Sequence, residues 1–313
     1  MRVLVTGAGG FVGAKLTEAL ARRNVAVGAA SARPLSHPPH GANTIGLELD
    51  LLRPETIRQA LRTFRPDAVV HLAAQSTVSE SWERPDVTIR TNTLGTIELL
   101  KALKDEAPGA VVLTAGSSEE YGASGMLGIP LTEEAPCMPQ NPYAVSKYAA
   151  GQIALQFARK QRLHLIHVRP FNHFGPGQKR GFVVADFISQ IVAIERGLRE
   201  PVMSVGDLSA ERDFTYVDDV VEAYIQLIER KPDPGIYNVC SGIPRTIESL
   251  LTLLLRQSSV PIGVRRDESK RRPAEVKLFV GSAAKLAAAT GWIPATKVEA
   301  GLTETLQWWR LHF

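Results

Sequence analysis

The chain has 313 residues, 44% of them hydrophobic and 22% charged, with a formal net charge of +4 from 36 basic and 32 acidic residues. That length suits one large core, or a main domain with a smaller lobe, and a mild charge without a nucleic-acid reading module excludes nucleic acid as an expected partner. No apolar run approaches the roughly 18 residues a membrane span needs, and the two cysteines, Cys137 and Cys240, have neither CxxC spacing nor a nearby histidine pair, so neither membrane association nor a metal site is expected. The chain opens directly on a strand with no signal region, and a reducing cytoplasm is the expected location.

Strand-like runs fall at residues 2–5, 25–30, 45–49, 68–72, 110–114 and 165–168, and helical patterns lie between them at 11–22, 54–64, 87–103 and 142–160. Such alternation predicts an α/β fold, a doubly wound parallel (Rossmann) sheet covered on both faces. After Pro170 the rhythm breaks, and Gly and Pro become dense around residues 174–177. The expected division is a dinucleotide-binding domain over 1–170 with a returning segment at 213–240. A smaller substrate-binding lobe takes 171–212 and 241–313 and includes a last helix near 299–311. Basic clusters at 265–266 and 270–272 suit either a phosphate-bearing ligand or a solvated face.

The first strand runs into TGAGGFVG (residues 6–13), with glycines at Gly7, Gly10 and Gly13. This GxxGxxG spacing predicts a tight turn at Gly7, close approach of the backbone to a pyrophosphate at Gly10, and close helix packing at Gly13. Phe11 and Val12 open the helix, whose free N–H groups and positive dipole end favour phosphate. An NAD site usually carries a carboxylate at the end of the second strand. Here Ser31 and Arg33 stand there instead, which predicts NADP(H) with NAD(H) as the alternative; Arg33 as a plain loop arginine is the competing reading. Asp50 and Leu51 follow the third strand and are placed to approach the adenine. Leu72, Ala73 and Ala74 end the fourth with small residues that suit a backbone passing close to the cofactor.

Tyr143 and Lys147 sit four apart at the start of a helix, so phenol and ammonium share a face. A cation so placed is expected to lower the Tyr143 pKa and make it a usable acid or base. The fifth strand ends in Ser117-Ser118-Glu119-Glu120, where a hydroxyl can bond a substrate oxygen, or simply form a turn.

Together TGAGGFVG, HLAAQ, GSSEEYG, YAVSK, RPFNHFGPGQ, RDFTYVDDVV, YNVCSG and RPAEV, spread from Thr6 to Val276, resemble the extended short-chain dehydrogenases/reductases that act on nucleotide-diphosphate sugars. The resemblance implies that Ser117 holds the catalytic Ser/Thr position, with Ser118 beside it, and that Lys147 holds the cofactor ribose. It implies that Asn172 and Arg212 meet the substrate diphosphate, and that Arg272 and Glu275 lie on its ribose side. It is nearest in the GDP-sugar branch. It therefore implies reduction of the C4 ketone of GDP-4-keto-6-deoxy-D-mannose to GDP-6-deoxy-D-mannose (GDP-D-rhamnose). The alternatives are GDP-mannose 4,6-dehydration, for which Glu119 stands where those enzymes carry an acid/base Glu, or another nucleotide-sugar epimerase or reductase. Many such enzymes are homodimers through a four-helix bundle; the helices at 87–103 and 142–160 suit this, or their apolar faces belong to the core.

Overall fold

Successive side chains of a strand point to opposite faces of its sheet, and the first half of this chain is apolar on both. The computed structural model describes residues 1–34, 41–267 and 276–313. The larger part lays down β1 (Arg2–Thr6), α1 (Phe11–Arg22), β2 (Ala26–Ser31), β3 (Thr44–Glu48), α2 (Pro54–Phe64), β4 (Ala68–His71), α3 (Val78–Glu83), α4 (Pro85–Ile89), α5 (Gly95–Glu106), β5 (Val111–Ala115), α6 (Pro142–Gln161) and β6 (His164–Pro170). There follow β7 (Asn172–Phe174), α7 (Val183–Glu195), β8 (Val202–Val205), β9 (Glu211–Tyr216), α8 (Val217–Arg230), β10 (Gly235–Val239), β11 (Pro244–Thr246), α9 (Ile247–Leu255), β12 (Gly263–Arg266), β13 (Leu278–Phe279), α10 (Ala284–Thr290) and α11 (Val298–His312).

Seven strands form one parallel sheet in the order β10-β6-β5-β4-β1-β2-β3. This is the doubly wound sheet expected from the sequence. Val3 and Val5 of β1 pack with Leu16 and Leu20 of α1 and with α8 on one face. Leu4 faces the other way, with Leu61 of α2, Leu99 of α5 and Ala154 of α6. The strand order reverses between β1 and β4, and ligands of such sheets bind at the carboxyl edge of that switch point.

The helix expected at 87–103 is longer and is not one regular helix. It runs through α4, a π turn at Arg90–Leu94 and α5. The irregular turn carries Asn92, which is buried and bonded away from its own helix. Its Oδ1 accepts from Gln75 N (2.8 Å), and its Nδ2 donates to Gln75 O and to Ser146 Oγ (2.9 Å each). A π turn re-aims one side chain without ending the helix; here it ties the loop after β4 to α6.

The smaller lobe centres on β9, which pairs with β7, β11 and β13, while β8 and β12 form a separate ribbon. Its core joins Ile188 of α7, Leu250 of α9 and Leu302 and Leu306 of α11. Asp213 lies in β9 and so in this small sheet; the chain re-enters the large sheet only through α8 and β10. Among the described residues no helix is long and apolar enough to cross a membrane.

Candidate active site

A cleft of about 2320 Å³ runs between the carboxyl edge of the large sheet and the smaller lobe, well beyond the few hundred to roughly 1,000 Å³ that holds one drug-sized ligand. Its floor is the turn after β1. Gly7 has φ +69°, and a Cβ there would lie 2.8 Å from Ala73 N on the end of β4. A Cβ on Gly13 would lie 2.9 Å from Ala8 Cα and still closer to the Gly7 carbonyl oxygen, so Gly13 lets α1 sit down on the turn itself. Gly10 N donates to Gly7 O (2.9 Å) and caps α1, and no side chain bonds the cap. Gly7, Gly10, Phe11, Val12 and Gly13 all line the cleft, as do Arg33, Asp50, Leu51, Leu72, Ala73 and Ala74. Ser31 ends β2 behind that wall, its Oγ accepting from Arg33 N at 3.4 Å. The Asp50 carboxylate is engaged in its own turn, accepting from Leu52 N (2.9 Å) and Arg53 Nε (3.2 Å).

Ser117, Tyr143 and Lys147 meet at the mouth of this turn and line the same cleft. Asn141 caps α6, its Oδ1 accepting from Ala144 N (2.8 Å), with Pro142 at the first helical position. This fixes where Tyr143 and Lys147 point. Tyr143 is half-buried on the cleft wall, its phenol near the Ser117 hydroxyl. Its pKa is raised, first by burial and then by the nearby carboxylates of Glu119 and Glu120, with the Ser117 bond opposing. The expected lowering by Lys147 is therefore corrected. The ammonium donates to Ala115 O (2.7 Å), and burial pushes its own pKa down to about 8 against the pull of Glu120. Desolvation sets the phenol, and its pKa moves up rather than down.

Glu119 lines the cleft and accepts from Asn141 Nδ2 (3.1 Å). Glu120, its neighbour, is wholly buried and turned inward. Its Oε1 accepts from Ser117 N (3.0 Å) and faces His167 Nε2 (3.1 Å), and its Oε2 accepts from Arg169 Nε (2.8 Å). Burial raises the carboxyl pKa, but His167 and Arg169 outweigh it and the net shift is downward. Glu120, His167, Arg169 and Asn92 were not anticipated from sequence. A signal for the first was present, since Ser-x-x-Glu at 117–120 is a capping box.

His71 is a second buried group missed in the sequence. Thr96 Oγ1 donates to Asn92 O (2.6 Å), so it accepts from His71 Nε2 (3.0 Å). His71 Nδ1 then accepts from Thr6 Oγ1 (2.8 Å), which in turn accepts from Ala73 N (3.2 Å). This chain holds the switch point of β1 and β4 together. Burial, with Lys147 nearby, lowers the His71 pKa to about 3.

Ser118 lines the cleft from the turn after β5, and Asn172 and Arg212 line it on the lobe side. Arg212 Nη1 donates to Glu211 O (2.8 Å) and Lys277 O (3.3 Å). Arg272 and Glu275 lie outside the described residues. The lobe meets the turn through His173, whose ring stacks on Phe11 with centroids 6.0 Å apart. Asp213, beside Arg212, accepts from Ser241 N and Oγ (2.7 Å each) and Gly242 N (2.8 Å), pinning the loop after β10. Among the described residues no group of histidine, cysteine and carboxylate side chains is set to hold a metal.

Fold and cleft define an oxidoreductase of the short-chain dehydrogenase/reductase class. A family model described as GDP-mannose 4,6 dehydratase matches residues 4–305. The chain is 37% identical to GDP-6-deoxy-D-mannose reductase of Pseudomonas aeruginosa over 98% of its length and 97% of that protein's. It is 31% identical to GDP-mannose 4,6 dehydratase 1 of Arabidopsis thaliana, covering 95% and 86% of the two chains. The solved structure of RMD from Pseudomonas aeruginosa, complexed with NADPH, superposes with a TM-score of 0.87 at 36% identity over 100% of both chains. The chain belongs to the GDP-mannose 4,6-dehydratase family of the short-chain dehydrogenases/reductases.

Proposed function

We propose that this enzyme reduces the C4 ketone of GDP-4-keto-6-deoxy-D-mannose to GDP-6-deoxy-D-mannose, with NADPH as reductant. The observation that carries the reading is the 37% identity, over nearly the full length of both chains, to GDP-6-deoxy-D-mannose reductase. The dinucleotide fits the residues present. Gly7 and Gly13 leave a cradle that any Cβ would fill, the first turn of α1 is uncapped by side chains, and Arg33, just past the end of β2, lines the cleft with no carboxylate at residues 31–33. Gly7, Gly10 and the α1 N-terminus would hold the pyrophosphate, Arg33 a 2′-phosphate, and Lys147 the nicotinamide-side ribose.

Bound there, NADPH supplies a hydride to C4. Tyr143 donates its phenolic proton to O4 as the ketone becomes a hydroxyl, and solvent restores that proton afterwards. Ser117 hydrogen-bonds O4 and keeps it in reach of Tyr143. Asn172 and Arg212 take the diphosphate, Arg212 through charge-assisted bonds. A phenol that keeps its proton until O4 takes it is what this reduction asks of Tyr143.

Dehydration of GDP-mannose is the second reading: Glu119 lines the cleft and raises the pKa of Tyr143, and the matching family model carries the description GDP-mannose 4,6 dehydratase. One experiment separates them. The purified enzyme receives GDP-4-keto-6-deoxy-D-mannose with NADPH and, separately, GDP-mannose alone. NADPH oxidation in the first supports the reductase; a keto-sugar formed in the second without net cofactor use refutes it. Pairing with a second copy through the helical run 85–106 and α6 is also proposed, because Leu94 of the π turn and Val145 and Ile153 of α6 leave apolar surface exposed.

A further inference from the structure

We propose that Glu120 is a positioning residue for the centre formed by Ser117, Tyr143 and Lys147. Its carboxylate, anchored from below by His167 and Arg169, clamps the Ser117 backbone and presents one fixed negative charge to Lys147 and Tyr143. The inference rests on the reading of those three as the reacting centre, and it gives a role to a buried charge that the reaction scheme does not use.

Three observations carry it. First, Ser117 is restrained twice by this turn: Glu120 Oε1 accepts its N–H (3.0 Å), and its Oγ accepts from Glu119 N (3.1 Å). With its backbone N–H and one lone pair of Oγ committed, Ser117 is held in place on the cleft wall beside Tyr143. Second, the carboxylate is itself immobile. Arg169 Nε holds Oε2 at 2.8 Å, and His167 Nε2 donates to Oε1 (3.1 Å), since a carboxylate oxygen can only accept, while His167 Nδ1 bonds Thr114 Oγ1 (2.9 Å). Third, the backbone has been shaped around this pair. A Cβ on Gly116 would collide with the Glu120 carboxylate and the His167 ring, and one on Gly151 of α6 would collide with the same ring. Small residues at both places let β5 and α6 close over a buried carboxylate–imidazole–guanidinium cluster, which is costly to build unless every member is paired.

The charge acts on both titrating groups in one sense. Lys147 is faced by Glu120 from the turn after β5 and by His71 from β4, with the Ala115 carbonyl against it. Tyr143 is faced by Ser117, Glu119 and Glu120 and by Tyr224 from α8. A negative charge holds the ammonium and the phenol in their protonated forms. Removing it lets both lose their protons at lower pH, so the alkaline limb of the rate profile moves to lower pH.

The test compares wild type with Glu120→Asp, which keeps the charge but draws it back, and Glu120→Gln, which keeps the shape but removes the charge. Steady-state NADPH oxidation is measured from about pH 6 to about pH 10, with NADPH affinity by fluorescence and folding by near-ultraviolet circular dichroism. Glu120→Asp is expected to lower kcat about tenfold or more with the alkaline limb in place, since small displacements of a reacting group are costly in rate. NADPH affinity should stay within about threefold of wild type, as the dinucleotide turn is untouched. Glu120→Gln is expected to move the limb about one pH unit lower. A wild-type kcat in Glu120→Asp, or an unmoved limb in folded Glu120→Gln, overturns the proposal; if Glu120→Gln does not fold, the Asp variant alone decides. If wild type ignores the keto-sugar but converts GDP-mannose, the function reading has failed. The same variants are then compared on that reaction, in which Ser117, Tyr143 and Lys147 carry its oxidation step.

Discussion

Gly13→Ala tests whether the turn after β1 is a backbone cradle. The added methyl would sit 2.9 Å from Ala8 Cα and closer still to the Gly7 carbonyl oxygen. Carbon atoms settle at about 3.5–4.0 Å, so the start of α1 must withdraw by roughly an ångström. Both opposing atoms are backbone and cannot swing aside. Overpacking of this kind costs typically 1–3 kcal/mol, while alanine regains about 1 kcal/mol of helix propensity over glycine; the clash wins. The displacement falls on the N–H groups that would meet the pyrophosphate, and with about 1.4 kcal/mol per tenfold NADPH binding should weaken about tenfold to hundredfold. Fluorescence titration of NADPH reads this directly. Gly109→Ala serves as the control, because a Cβ there meets nothing within 4 Å. Binding in Gly13→Ala within about threefold of the control would refute the cradle.

Arg33→Ala should weaken NADPH about tenfold while leaving NADH nearly unchanged, since only the 2′-phosphate would meet the guanidinium; equal effects on both would make Arg33 a loop arginine. His71, held neutral with its pKa lowered to about 3, gives stability that is full above its unfolded pKa near 6.5 and is lost as pH falls toward 3. The loss is up to about 1.4 kcal/mol per pH unit, or about 2 kcal/mol by pH 5. Denaturant midpoints at pH 7 and pH 5 should therefore differ less in His71→Asn than in wild type, and equal differences would remove His71 from the account. A Leu94→Glu/Val145→Glu variant should sediment at half the mass of wild type; a wild-type protein that is already monomeric ends the pairing proposal.

How far the sequence carried depended on whether the signal was local. Gly7, Gly10 and Gly13 were legible because a glycine turn between strand and helix answers one physical demand, a backbone with no side chain in the way. The doubly wound parallel sheet followed from βαβ rhythm and short connections. The π turn around Asn92 was not legible, because its cause is a buried amide satisfied by Gln75 and Ser146, far apart in the chain. His71 was passed over inside HLAAQ for the same reason: Thr6 and Thr96, its partners, come from β1 and α5. Glu120 is the instructive case. Its capping box with Ser117 was readable at once, yet the carboxylate that drew notice was Glu119, chosen by family position. In the fold the two neighbours diverge, Glu119 to the cleft and Glu120 into the protein, and only His167 and Arg169 on β6 decide which one is buried.

The mistaken expectation for Tyr143 bears on the direction of the reaction. Spacing placed a cation four residues away, and the cation was assumed to set the phenol. Burial instead comes first; Ser117 opposes it, and the two carboxylates, Glu119 and Glu120, add to burial in disfavouring a phenolate. Dehydration must begin by drawing a proton from the sugar hydroxyl, which asks Tyr143 to act as a base beside Glu119. Reduction asks only that Tyr143 hold a proton until the oxygen at C4 takes it. The same negative charges that burden the first reaction keep the second supplied. Substituting Glu119→Gln should therefore spare or raise NADPH-linked reduction, within about threefold, whereas an enzyme working as a dehydratase would lose turnover by about a hundredfold or more with its acid/base gone.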